Sequence, residues 1–239
     1  MALSPAVAGI VLAWTQAGFS WTPWWLLLCW LLCYCVQFSA ARWFKSHCAR
    51  RWMKQPLAYC IALCLIGLPF VALHPGILVW APPFAILAVV SFYASWIRKE
   101  RSLWSNAVAV LAACLMPILT FCYGVDSPRV PYLTVSGTSL FLMFFMVQFG
   151  SVLFVKTMIR ERGRWQYVVA SWIWHAAMLS WWIIAGDGYM VALSAILLIR
   201  AVALPVAVAR GHVVKPLVVG MTEFVTSIAA LAFGVAALI

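Results

Sequence analysis

Two short segments of the sequence carry the same pattern of charges, in which Lys or Arg, Glu and Arg precede a Trp. They span residues 99–104 and 160–165. Guanidinium groups near a helix N-terminus can hold a phosphate through paired hydrogen bonds and free backbone N–H groups. The pattern predicts a lipid or diphosphate headgroup site, or ordinary basic loops whose Glu neutralises an Arg and whose Trp anchors the membrane interface. The candidate binding residues are Lys99, Arg101, Lys156, Arg160 and Arg162, and we expect Arg101, Arg160 and Arg162 to converge on one surface.

A second set of polar residues falls inside apolar segments, namely Gln148, His175, Arg200 and Glu223. Counted from the basic end of each segment, all four lie roughly 12–15 Å deep. An ionisable group at that depth is costly and must be paired. We predict an Arg200–Glu223 ion pair whose remaining donors are satisfied by His175 or Gln148. The four residues form either one polar cluster or a structural pair beside an unrelated His.

The composition sets the class of protein that positions these groups. Apolar residues make up 67% of the chain and charged residues 9%, with a mean hydropathy of +1.03. A soluble domain is about 45–50% apolar and about 25% charged. Because the apolar runs are about 18–22 residues long, membrane helices are favoured over the shorter alternating strands of a barrel.

The sequence therefore predicts an all-α, polytopic transmembrane bundle forming one domain over residues 1–239. Apolar runs between charged or Pro/Gly breaks define nine spans. The first span is the shortest and has no basic flank. The spans lie near 2–19, 24–41, 57–73, 77–97, 105–123, 132–155, 167–185, 189–209 and 216–239.

Fourteen of the sixteen Lys and Arg residues lie in alternate gaps between these spans. The intervening gaps hold one positive charge, Arg129, beside Asp126. This asymmetry predicts a multi-pass membrane protein with a cytoplasmic N-terminus and an external C-terminus. The net charge of +11 is thereby explained by topology, and nucleic acid is not an expected partner.

The sequence lacks the residues that several common kinds of functional site require. The eight Cys lie mostly in apolar runs, where thiols pack as small hydrophobic groups, and no metal site is predicted. Bis-His haem binding would need a second His at the depth of His175, and the sequence has none there, so no haem site is predicted. No Gly-rich nucleotide loop or nucleophile elbow is present, so no cofactor is expected and catalysis is not favoured.

Three stretches resemble the YwiC-like family of bacterial integral membrane proteins. They are residues 98–103, residues 150–162 and the Trp174-His175 pair. The resemblance implies a location in the bacterial cytoplasmic membrane and carries no established activity. Members of that family have a His-Gly-Ala-Trp stretch before a segment like residues 1–5. Its absence here predicts a start site placed too late and leaves the first span open.

Nine helices with a cytoplasmic N-terminus are also similar in topology to UbiA-type intramembrane prenyltransferases. Those enzymes bind magnesium through two Asp-rich motifs, in the gaps after the second and sixth helices. Here the gap at 42–55 has no acid and the later gap has only Glu161. Magnesium sites are anchored by carboxylates, so the usual prenyl-transfer mechanism is not supported.

Three hypotheses follow from the sequence. The first is a membrane protein of the YwiC-like type that binds an anionic lipid or polyprenyl-type headgroup at its cytoplasmic face. The second is a transporter with a small-molecule substrate at the polar mid-depth level and helix breaks at Pro82-Pro83, Pro117 or Pro205. The third is a diverged prenyltransferase. A lateral opening near the basic loops, a water-accessible mid-depth cavity and a metal-binding carboxylate pair would respectively distinguish them.

Overall fold

The computed structural model describes residues 3–125 and 133–239, which form nine α-helices and no strand. Two 3-10 segments, Arg50–Trp52 and Pro75–Trp80, precede α3 and α4, and a π-helical turn, Lys156–Arg160, continues α6. Asp126 and Arg129 lie outside the described residues. The helices are α1 Ser4–Ala17, α2 Thr22–Lys45, α3 Lys54–Leu73, α4 Ala81–Trp96, α5 Leu103–Gly124, α6 Val135–Val155, α7 Trp165–Ala185, α8 Gly188–Ala209 and α9 Pro216–Ala236.

Local sequence fixes where several of these helices begin. Ser102, Thr134 and Asp187 stand immediately before α5, α6 and α8, and each side chain accepts a hydrogen bond from a backbone N–H in the first turn. Such caps satisfy donors that have no partner within the helix. The chain then turns at Gly18 and Gly186, which adopt positive φ angles after α1 and α7.

The helices form two groups around a central layer of α1, α5 and α6. Helix α1 packs against α5, α6 and α9, while α5 also contacts α2 and α4. On one flank α2 packs against α3 and α4, and on the other α7, α8 and α9 follow α6. The central layer contributes most of the buried residues, including Leu12, Cys114 and Leu140.

Eight segments of this bundle are long and apolar enough to cross a membrane. Their outer faces are apolar, as lipid requires: Leu65, Ile184 and Leu217 expose 72%, 85% and 74% of their surface. Helix α1 has 14 residues, about 21 Å, which is shorter than the roughly 30 Å hydrocarbon core. The predicted helical, multi-pass class is confirmed. The span predicted at 77–97 is α-helical only from Ala81, after a 3-10 segment.

Candidate functional site

The predicted basic segments are joined at one end of the bundle. Lys45, at the end of α2, forms an ion pair and hydrogen bond with Glu100 in the α4–α5 connection. Lys156 Nζ, at the end of α6, donates to the Arg101 carbonyl oxygen at 2.9 Å. Three of the four basic connections are thus linked side by side. We call this end of the bundle the basic end.

Both acids of the repeated pattern are already paired. The hydrogen bond from Lys45 lowers the pKa of Glu100 below its usual range, against the opposing effect of burial, so its carboxylate stays ionised at neutral pH. Glu161 lies 2.9 Å from Arg164 and 4.0 Å from Lys156. The exposed cations left in the two segments form no ion pair with any described residue; they are Lys99, Arg101, Arg160 and Arg162.

Lys156 occupies a different place from the one that the sequence predicted. Its residue surface is only 3% exposed. Its ammonium group donates a hydrogen bond to the Arg101 carbonyl oxygen and lies 5.6 Å from the centre of the Tyr167 ring. Lys156 therefore connects the two basic segments and is not available as a direct contact for a headgroup.

The ion pair predicted inside the bilayer is present between α8 and α9. Arg200 Nη1 lies 2.6 Å from Glu223 Oε1, and both side chains are at least nine-tenths buried. The guanidinium carbon also lies 4.2 Å from the centre of the Phe154 ring on α6. The contact is thus a buried ion pair that joins α8 and α9 and lies against α6.

The remaining donors of Arg200 are satisfied by hydroxyl groups, which corrects the prediction that His175 or Gln148 would accept them. Nη1 donates to Thr226 Oγ1 at 2.7 Å, and Nη2 donates to Ser151 Oγ at 3.5 Å. Thr226 and Ser151 lie one turn along their helices from Glu223 and Gln148. Residues three positions apart share a helix face, and that spacing is the sequence signal that could have found them.

His175 forms no hydrogen bond with this ion pair. Its Nδ1 lies 2.7 Å from the Ser171 carbonyl oxygen in the same helix, so Nδ1 carries the proton. Its Nε2 has no hydrogen-bond partner among the described residues and lies against Gly150, where an added Cβ would stand 3.0 Å from it. His175 therefore packs α7 closely against α6.

Gln148 borders a small polar cavity beside the ion pair. The cavity has a volume of about 10 Å³. Its walls include the hydroxyl groups of Ser4, Ser151, Thr226 and Ser227. The Gln148 amide donates to Ser4 Oγ at 3.4 Å. Three of the four predicted polar residues thus lie in one region, where α1, α6, α8 and α9 meet.

A much larger cavity of about 850 Å³ lies on the other flank, between α2, α3, α4 and α5. Among the described residues that line it, none is charged and most are aliphatic or aromatic. Gln148 and Val152 of α6 also line it, and among its polar residues the sequence had singled out Gln148 but not Gln37, Ser91 or Asn106. Gln37 Nε2 donates to Ser91 Oγ at 2.8 Å across the α2–α4 contact.

Within the described part of the chain, no three His, Cys, Asp or Glu side chains are grouped so that they could hold a metal ion. The Asp-rich arrangement of UbiA-type enzymes has no counterpart there. Helices α2 and α3 do carry five thiols, of which Cys29, Cys33 and Cys64 line the large cavity.

Comparison with known proteins identifies the relatives of this chain. An uncharacterized protein of Haemophilus influenzae is 25% identical over 208 residues, covering 86% of this chain and 82% of that protein. No solved structure matches the chain. The model of the YwiC-like protein family matches residues 1–121, slightly more than half of the sequence. This multi-pass membrane protein therefore belongs to the YwiC-like family.

Proposed function

We propose that the protein binds the headgroup of an anionic lipid at its basic end. The observation that carries this proposal is the linkage of two basic segments whose acids are paired with Lys45 and Arg164, so that none of Lys99, Arg101, Arg160 and Arg162 forms an ion pair within the part of the chain that the structure describes. A phosphate would supply the acceptors that these cations lack. No catalytic step is part of the proposal.

The energetic argument favours a phosphate or phosphodiester over a neutral headgroup. A hydrogen bond to a charged group contributes about 1.5–3 kcal/mol when it is sheltered from water. At an exposed membrane surface each Lys or Arg contributes about 1 kcal/mol toward anionic lipid. Four such cations on adjoining segments would favour binding by several kcal/mol if the guanidinium groups converge, as we predict.

A charge-neutralised variant tests this proposal. We expect simultaneous replacement of Lys99, Arg101, Arg160 and Arg162 by glutamine to weaken binding of an anionic lipid by on the order of a hundredfold, since two lost contacts of this strength suffice for that change. Binding is measured by native mass spectrometry of the protein from nanodiscs of phosphatidylcholine containing a minor fraction of phosphatidylglycerol.

The matched control removes four positive charges from the other basic connections, by replacing Arg50, Lys54, Arg210 and Lys215 with glutamine. A specific headgroup site predicts that this control retains most of the binding. If both variants lose phosphatidylglycerol to the same extent, general attraction between basic loops and anionic lipid explains the result and no site exists.

We also propose that the basic end faces the cytoplasm of a bacterial cell, because cytoplasmic connections carry an excess of Lys and Arg. Reporter fusions after Lys54, Arg101, Arg164 and Lys215 are then expected to read cytoplasmic, and a fusion at Ile239 to read external. A cytoplasmic reading at Ile239 would show that the number of spans or the placement of α1 is wrong.

A second candidate is a carrier that uses the polar region around Arg200 and Glu223. The small cavity beside the pair, and the presence of two charged side chains that are nine-tenths buried, favour it. The Glu223→Gln variant distinguishes the two candidate functions. A carrier would lose transport in that variant, whereas headgroup binding at the basic end would be unchanged.

A further inference from the structure

The large cavity between α2, α3, α4 and α5 has a polar end and an apolar end. Gln37, Ser91 and Asn106 line it in the parts of α2, α4 and α5 that are nearer to the basic end. Leu26, Ile77 and Ala81 line it where α2 and α4 begin, at the opposite end of the bundle. The cavity therefore has the polarity gradient of an amphiphile lying along the membrane normal.

The polar end of the cavity lies close to the proposed headgroup surface. Asn106 follows Arg101 by five residues, about 7.5 Å along a helix axis. Val152 lines the cavity four residues before Lys156, about 6 Å along α6. Since Lys156 hydrogen-bonds the Arg101 carbonyl, the cavity ends about one helical turn from the point where the two basic segments join.

The length of the cavity decides between classes of lipid. On α5 the lining residues run from Asn106 to Leu119, thirteen residues or about 20 Å. Adding the turn that separates Asn106 from Arg101 gives a reach of about 27 Å from the basic surface. The bilayer with its headgroup regions is about 40–45 Å thick, so the acyl chains of one leaflet end about 20–22 Å below the level of the phosphate groups. The lining of the cavity extends roughly 5 Å past that depth.

We propose that this cavity holds the hydrocarbon chain of a long-chain polyprenyl phosphate whose phosphate lies at the basic end. An isoprenoid chain of that length can cross the midplane, whereas the tails of a diacyl phospholipid stop there. The aromatic rings of Trp30, Phe84 and Phe92 provide broad apolar walls, and no charged group has to be desolvated inside the cavity. The inference rests on the proposed headgroup site and specifies its ligand.

The first experiment measures binding to the wild-type protein in phosphatidylcholine nanodiscs. It compares ligands that differ either in chain length or in the class of lipid. We expect a long-chain polyprenyl phosphate to bind at least about tenfold more tightly than a short-chain polyprenyl phosphate with the same headgroup. Phosphatidylglycerol should compete poorly with the long-chain ligand. Equal binding of long and short chains, or equal competition by phosphatidylglycerol, would overturn the inference.

Cavity-filling variants test whether the hydrocarbon chain of the ligand binds in the cavity. Replacing Ala109 and Ala112, which line the cavity on α5, by phenylalanine should remove the advantage of the long chain and leave short-chain binding unchanged. Ala177→Phe on the exposed face of α7 is the matched control and should retain the advantage. An advantage that survives in the Ala109→Phe, Ala112→Phe variant would place the chain elsewhere.

Two cysteines on α3 give a readout that does not depend on these variants. Cys60 and Cys64 are one turn apart and both exposed, but only Cys64 lines the cavity. The long-chain ligand should slow alkylation of Cys64 by N-ethylmaleimide and leave Cys60 unaffected. Equal rates with and without ligand at both positions would contradict occupancy of the cavity.

The proposal of a headgroup site can be tested separately from the proposal that the cavity holds the chain. The variant with Lys99, Arg101, Arg160 and Arg162 replaced by glutamine should weaken long-chain and short-chain phosphates by the same factor. If it weakens neither, while the long chain still protects Cys64, the headgroup proposal is wrong and the cavity holds a chain independently of its phosphate. That outcome would also overturn the polyprenyl phosphate as the specific ligand.

Discussion

Replacing Arg200 by leucine is expected to destabilise the protein by about 3–5 kcal/mol, because the change leaves the carboxylate of Glu223 buried without its partner. Arg200 lies ten residues from Arg210, about 15 Å along α8, so its site is too deep for water to replace the lost charge easily. The Arg200→Leu, Glu223→Leu double change should be less destabilising than the single change. The measurement is thermal unfolding of the purified variants in one detergent.

The control for this comparison is Arg210→Leu, which removes an exposed cation at the end of the same helix. Its effect on unfolding should be small, since exposed charges rarely contribute more than about 1 kcal/mol. A double variant that unfolds at a lower temperature than Arg200→Leu would show that the pair stabilises the bundle beyond mutual neutralisation. The interpretation of Arg200 and Glu223 as a compensated buried pair would then be wrong.

This ion pair was predictable because depth in a membrane follows from counting. Each residue of a helix rises 1.5 Å, so equal distances from the basic end place two groups at one level. The direction in which a side chain points depends on which helices are neighbours, and the sequence does not contain that information directly. The His175 ring donates a hydrogen bond to a carbonyl group of its own helix. The hydroxyl groups of Ser151 and Thr226 accept the Arg200 hydrogen bonds that were predicted for His175 or Gln148.

The large cavity was not predictable for a related reason. In a soluble protein, apolar periodicity distinguishes the core face of a helix from the solvent face. In a membrane bundle the same apolar side chains face lipid, neighbouring helices or a cavity, so this contrast disappears. Leu68 and Leu119 are alike in sequence, yet one exposes 64% of its surface and the other 2%. Packing of the whole bundle is needed to separate them.

The start of α4 shows how local chemistry overrides hydropathy. The predicted span at 77–97 followed the apolar residues, but Pro82 and Pro83 have no backbone N–H to donate to the carbonyl groups four residues earlier. The two consecutive prolines remove two successive hydrogen bonds, and the chain forms a 3-10 segment over Pro75–Trp80. The single prolines at 117 and 205, where helix breaks were also predicted, instead lie inside α5 and α8. The same segment places Ile77 and Leu78 at the outer end of the large cavity.

Helix α1 has too few residues to cross the bilayer at full length, so its stability depends on close packing against α5. Gly9 allows this approach: a Cβ there would stand 2.8 Å from the Pro117 carbonyl oxygen and 3.0 Å from Pro117 Cα. The Thr120 hydroxyl at the same crossing donates to the Ala6 carbonyl oxygen at 2.9 Å. Small residues commonly permit such backbone contacts between membrane helices.

Gly9→Ala is therefore expected to destabilise the protein by at least about 1–3 kcal/mol, the usual cost of forcing a methyl group into a packed interior. The obstacles are the Thr120 hydroxyl and the backbone of Pro117, and the backbone cannot rotate away as a flexible side chain can. Gly220→Ala on α9 is the matched control, because no atom lies within 4 Å of its added Cβ and helix propensity favours alanine. Thermal unfolding in detergent should show a lower transition temperature for Gly9→Ala and an equal or higher one for Gly220→Ala. Equal transitions for both variants would mean that α1 does not approach α5 closely, and the central layer of the bundle would have to be revised.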